Sequence, residues 1–281
     1  MVSIRELCRD FRKKHGINTT EIGLDCIKID FDDIISITPN EAQLVCIGSR
    51  PGMGRVALCL DTILEMALSL DKTVLYFLGG TIFVDNLDLL IDRLLRRICG
   101  VNDYSIIKNA DSETICNNTK NIQSALCILE KLNILFDTQK YPTVDYIKEN
   151  VLRCNNLGLV VVGNVEYIAP EKPNKSQKVN CVAFIKKLFV MTKETNIPVI
   201  ITTTLSRLLE RRTDKHPLIR DLKYNYLREL SDTIVLLYRE SYYSLNKDDD
   251  SAEILISKNK KDNHKSKEMR FDHNMIRFTV R

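Results

Sequence analysis

Six short apolar runs, Leu44–Ile47, Thr73–Leu78, Asn133–Phe136, Leu157–Val162, Val199–Thr203 and Thr233–Tyr238, punctuate the chain. Their length and β-branched content predict buried strands. Between them, apolar residues recur every three or four positions over Val56–Leu70, Asp85–Ile98, Ile122–Lys131, Val144–Cys154 and Val179–Thr195, which predicts helices. Strands alternating with helices predict an α/β fold with a mainly parallel sheet covered on both faces. Three late runs, Glu253–Ser257, Met269–Phe271 and Ile276–Thr279, predict an antiparallel extension at one sheet edge. Near the start, Ser3–Lys14 sets Ile4, Leu7, Cys8 and Phe11 at helical spacing before Gly16, the pattern of a short amphipathic helix. Because ligands of open α/β sheets bind beyond the carboxyl ends of the strands, Ser49–Val56, Gly79–Thr81, Gly163–Glu166 and Thr203–Arg207 are expected to converge.

Composition narrows the class without naming a function. The 281 residues are 44% hydrophobic and 28% charged, an ordinary globular balance able to bury a large core. A net charge of +4 is too small to argue for nucleic acid by itself; the basic stretch Lys258, Lys260, Lys261, Lys265, Lys267 and Arg270 is the local exception. Nine cysteines form no C-x-x-C pair and fall mostly in apolar runs, so free buried thiols in a reducing cytoplasm are expected rather than disulfides or zinc. No run is long and apolar enough to predict a membrane span, and the charged N-terminus has no signal-peptide core.

The stretch Leu44–Met66 carries the chemistry. A strand, the loop Ser49-Arg50-Pro51-Gly52-Met53-Gly54 and a helix starting at Arg55-Val56 follow in the order of a phosphate-binding loop, whose signature is G-x-x-x-x-G-K-[ST]. Backbone N–H groups and the helix N-terminus would cradle phosphate there. Ser49 stands at the first glycine and Gly54 keeps the second; Arg55 replaces the lysine, and Val56 replaces the metal-binding hydroxyl. Arginine keeps the positive charge with a bulkier head, whereas a valine methyl ligates no metal. A glycine-containing turn that holds no ligand is the alternative.

With Arg50-Pro51-Gly52-Met53-Gly54 after an apolar strand, the chain resembles the DnaB-type replicative helicases, and the likeness continues in order. Thr203-Thr204-Leu205-Ser206-Arg207, Glu210, Arg212, Asp214-Lys215, Pro217 and Asp221-Leu222 resemble the segment after the family's sensor strand. Asp232–Arg239 and Ala252–Lys260 resemble its late core strand and its arginine-finger hairpin. The resemblance implies a RecA-like P-loop NTPase core over residues 17–281, preceded by a linker-type helix over residues 1–16, and a core-only chain without the family's N-terminal domain. It also implies ATP and single-stranded DNA as ligands, a homo-oligomeric ring, and other replication proteins as partners.

The departures fall on the catalytic positions. Gly80 stands where the family has its catalytic glutamate, Gly163 where it has the Walker B aspartate, Thr204 at the sensor glutamine and Lys260 at the finger arginine. A base that activates water, a carboxylate that organises Mg²⁺ and a finger that stabilises transferring charge each contribute orders of magnitude to rate. No intact catalytic residue is therefore expected; Lys258 and Lys260 are candidate trans fingers, ATP binding is expected to be weak, and the Mg²⁺ site has lost its usual ligands. Glu166, the nearest carboxylate, is expected to be exposed in a polar loop, with an inward turn toward the site as the alternative. The family's DNA-gripping loop reads Lys223-Tyr224-Asn225 here, offering Lys223 as a phosphate-binding cation or solvated surface alike, whereas Tyr224, which could offer a stacking face, and Asn225 read more as plain surface. Two functions remain: an ATP-driven helicase motor, impaired or not, and a catalytically inactive scaffold in a replication complex.

Overall fold

The computed structural model describes residues 1–17, 35, 37–99, 112–169, 175–244, 249–259 and 265–280. Ten strands among them form one sheet: β1 (Val2–Ser3), β2 (Leu44–Ser49), β3 (Thr73–Phe77), β4 (Ile134–Asp137), β5 (Leu157–Asn164), β6 (Val199–Thr204), β7 (Thr233–Arg239), β8 (Ser251–Asn259), β9 (Lys265–Asp272) and β10 (Arg277–Val280). Their order is β1-β4-β3-β5-β6-β2-β7-β8-β9-β10. The strands from β4 to β7 in that order run parallel, while β8, β9 and β10 continue the sheet antiparallel from β7. A RecA-like α/β architecture with an antiparallel extension is thus present.

Among the described residues seven α-helices complete the layers: α1 (Ile4–His15), α2 (Arg55–Ser69), α3 (Leu87–Cys99), α4 (Ser112–Leu129), α5 (Val144–Arg153), α6 (Gln177–Thr195) and α7 (Asn225–Leu230). One core lies beneath α1 to α4, the other beneath α5 to α7. Each parallel strand feeds alternate residues into the two, so Val45 and Ile47 face the first while Leu44 and Cys46 face the second. This is why the strands read as unbroken apolar runs.

The first helix packs on its own chain. A capping box starts it, with Ser3 Oγ accepting from Glu6 N and Glu6 Oε2 accepting from Ser3 N, and left-handed Gly16 ends it. Its expected apolar face, Ile4, Leu7, Cys8 and Phe11, is buried. On the adjoining side Arg12 donates to Glu130 (2.8 Å) and Cys127 Sγ (3.4 Å), pinning the helix beside α4. Two elements differ from the pattern: β1, a two-residue strand covering the free edge of β4, and the first turns of α4, whose Asn- and Thr-containing sequence carries little apolar period.

Candidate nucleotide site

Adjacent carboxyl ends of β3, β5, β6 and β2 bring the expected segments together. In register, Ser49 lies beside Thr204 and Gly48 beside Thr203. The loop then turns through Gly52 and Gly54, both left-handed at φ 82° and 99°, and enters α2 with no side-chain cap. First-turn N–H groups of α2 are therefore open to an anion.

The loop is held from four sides. Arg50 Nε donates to Glu210 Oε1 (2.7 Å) and its Nη1 to Leu205 O (2.9 Å), fastening the loop to the turn Arg207–Arg211. Arg239 Nη1 donates to Gly52 O (3.0 Å) while its guanidinium lies 3.7 Å over the Phe271 ring. A β-carbon on Gly54 would stand 2.8 Å from the Phe278 ring, so β10 touches the loop's backbone; one on Gly52 would meet the Tyr242 ring at 3.1 Å. Ser49 is buried and its hydroxyl donates to Arg50 O (2.8 Å), and Met53 is buried, whereas Pro51 is exposed. Arg239 and Phe278 carry no sign of this role in the sequence beyond a cation ending an apolar strand.

Arg55 reaches inward. Its Nη2 donates to Thr204 Oγ1 (3.2 Å), its Nη1 is buried without a partner, and burial lowers its pKa with Glu166 as the main opposing charge. A phosphate oxygen would satisfy that orphaned donor. Val56 offers only methyls, half-buried against the core.

At the two carboxylate positions a side chain would meet close neighbours, backbone at one and a tyrosine at the other. Gly163 sits at a break in the β5–β6 register, and a β-carbon there would lie 2.2 Å from Gly79 O. Gly80 is left-handed at φ 71°, and a β-carbon there would lie 2.6 Å from the Tyr167 side chain. Neither position accepts a carboxylate in this backbone. Asp137, the buried carboxylate at the end of β4, is occupied by Gln139 N and the Tyr146 hydroxyl. Among the described residues no three His, Cys, Asp or Glu side chains gather as a metal site.

Glu166 corrects an expectation. It turns inward, its side chain 11% exposed, and accepts from Thr203 Oγ1 (3.0 Å), Thr204 N (3.2 Å) and Lys223 Nζ (3.5 Å). Lys223 therefore joins the nucleotide edge. Tyr224 is only 6% exposed, packed in the second core with its hydroxyl at Cys181, so its ring offers no free stacking face. Asn225 is exposed and accepts from Arg228. Lys258 Nζ donates to the carbonyls of Arg228 (2.9 Å) and Glu229 (3.2 Å) at the end of α7, and so is bound within its own chain. Lys260 lies outside the described residues.

With this geometry in place, residues 23–280 match the family described as DnaB-like helicase C terminal domain. A replicative DNA helicase DnaB of Buchnera aphidicola is 27% identical over 251 residues, 84% of this chain and 52% of the relative. A probable plasmid replicative DNA helicase of Chlamydia psittaci is 25% identical over 287 residues, 96% of this chain and 58% of the relative. The chain thus spans about half the length of the curated relatives it matches. Among solved structures, one isolated ATPase domain superposes with a TM-score of 0.77 at 21% identity, covering 100% of this chain and 99% of that one. A DnaB-like replicative helicase studied for its interactions with primase gives 0.76 at 22% identity, covering 97% of this chain and 65% of that one. At these identities the structures speak for the fold.

Proposed function

The chain belongs to the DnaB-like helicase C-terminal domain family, and from that premise we propose that it is a cytoplasmic domain of DNA replication that binds ATP weakly and single-stranded DNA, with ATP hydrolysis impaired or lost. Ring assembly and contacts with other replication proteins belong to this proposal, as does a division into an N-terminal linker-type helix, residues 1–16, and a core, residues 17–281. The observation that carries the loss of hydrolysis is the backbone contact at Gly163, which denies the site a Walker B carboxylate.

Different residues hold, receive and anchor. Ser49–Gly54 shapes the cradle, the open N–H groups of α2 and the orphaned Nη1 of Arg55 receive phosphate, and Arg50 anchors the loop. ATP would supply the triphosphate and its reactive terminal phosphoryl. With Gly80 and Gly163 unable to bear side chains, nothing at those positions activates water or organises a metal ion. A thermal-shift titration with ATP, with and without Mg²⁺, tests this: stabilisation by about 2–3 kcal/mol at a hundredfold excess over Kd is expected in either condition, with no phosphate release in the presence of single-stranded DNA. Mg²⁺-dependent turnover that an Arg55→Ala substitution abolishes would refute it.

A second reading, a scaffold that binds no nucleotide, draws support from Glu166, which already supplies an opposing charge to Arg55. Its signature is a melting temperature unmoved by ATP.

A further inference from the structure

One carboxylate, Glu166, pairs with Lys223 and lies near Arg55 across Thr204. Arg55, at the head of the phosphate loop's helix, and Glu166 both bond to Thr204, the guanidinium through the hydroxyl (3.2 Å) and the carboxylate through the backbone N–H (3.2 Å). The same carboxylate oxygen, Glu166 Oε1, also accepts from Lys223 Nζ (3.5 Å), which stands at the DNA-gripping position of the family resemblance. Asn164 Nδ2 also donates to the Thr204 hydroxyl (3.3 Å), closing the polar group.

Around Glu166 two hydrogen bonds hold the backbone independently of the carboxylate. Its carbonyl accepts from Gln177 Nε2 (2.8 Å), and its N–H donates to Asn164 Oδ1 (3.3 Å). Rotation about the side chain alone would take the carboxylate off Thr203, Thr204 and Lys223. One carboxylate against two cations leaves a net positive site, still attractive to a polyphosphate. A phosphate on Arg55 would nevertheless stand as a like charge near Glu166, in surroundings where such repulsion is strong.

We infer that Glu166 is a built-in counter-anion shared by Arg55 and Lys223, so that a nucleoside triphosphate at the loop drives it outward and frees Lys223 for a nucleic-acid phosphate. Resting on the proposed reading of the site, this gives the two ligands a positive coupling through a single side chain and without a metal ion. By linkage the coupling is reciprocal: an oligonucleotide that takes Lys223 tightens ATP by the same factor.

The test compares the full chain with Glu166→Gln and Lys223→Gln variants in EDTA at fixed salt, using a fluorescent ATP analogue and a labelled single-stranded oligo-dT. Glutamine is isosteric and can still accept from Thr203 and Thr204, so the local fold is kept. In the wild type, saturating ATP should tighten oligo-dT by about 5-fold or more. The Glu166→Gln variant should bind each ligand alone about 10-fold more tightly, with the coupling reduced to about 1-fold. Lys223→Gln should weaken oligo-dT and also remove the coupling. If ATP binds wild type and Glu166→Gln alike and the coupling is unchanged, the shared counter-anion is overturned while the nucleotide site stands. If neither protein binds ATP, the functional reading and the coupling fall together.

Discussion

At Gly163 the obstacle to a side chain is the backbone of the turn that follows β3, and a comparison with two other glycines separates three kinds of constraint. A β-carbon on Gly163 would overlap Gly79 O at 2.2 Å; on Gly80 it would strike the Tyr167 side chain at an unfavourable φ; on Gly16 it would meet open space at φ 64°. Gly163→Ala is therefore expected to cost about 3 kcal/mol or more, because a backbone carbonyl gives way less readily than a side chain. Gly16→Ala should cost about 1 kcal/mol, the left-handed strain alone. Urea unfolding of the two variants checks the contrast, and equal costs would contradict it. At this scale the phosphate loop is legible because its residues are consecutive. The orientation of Glu166 is not, since its partners Thr203 and Lys223 lie 37 and 57 residues further along. A carboxylate in a polar loop is normally solvated, and only the tertiary arrangement of two loops overrides that preference.

Among the elements, α2 is the one on which the site depends, and a buried ion pair fixes it. Arg97 on α3 donates to Asp61 on α2 (2.7 Å), to Ala57 O (3.2 Å) and to Ile276 O (2.7 Å), tying two helices to the turn before β10. Arg97→Leu would strand Asp61, whose pKa burial already raises despite Arg97, and release the turn that seats Phe278. A loss of about 3 kcal/mol is expected in urea unfolding, together with a smaller ATP-induced thermal shift than the wild type. A variant as stable as wild type would show that the pair contributes nothing. Element types are readable because each parallel strand is buried on both faces and each helix carries an apolar stripe. The early turns of α4 and the two-residue β1 escape the pattern for the corresponding reason: one lacks a clear stripe, and the other gains its partner from a distant strand. The Arg97–Asp61 link has no counterpart in periodicity at all.

Across the whole molecule, the polar loop after β6 is joined to the antiparallel extension by His216, which bonds Asp214 (2.6 Å) and Glu253 (3.1 Å) and stacks on Tyr238 at 3.9 Å. Burial opposes its charge, but the two carboxylates outweigh burial and raise its pKa above the ordinary 6.5. The stabilisation is thus fully present below 6.5 and is lost as pH rises through the higher folded value. Because the side chain is 39% exposed, solvent screening keeps the effect small. The melting-temperature difference between wild type and His216→Gln should shrink from about pH 6 to about pH 9, and a difference that grows would reverse the assignment. Sheet order is the least legible property, because β2 pairs with β6 and β7 from the far end of the chain. The seating of Phe278 on Gly54 has a consequence for biosynthesis. At about 5–20 residues per second, the ribosome presents the phosphate loop roughly 11–45 s before it makes the segment that supports it. During that interval the nascent chain carries the loop without its backing, with the apolar face of α2 still short of its β10 neighbours. A ribosome-bound chain at that stage offers a chaperone the very surface that the finished domain closes last.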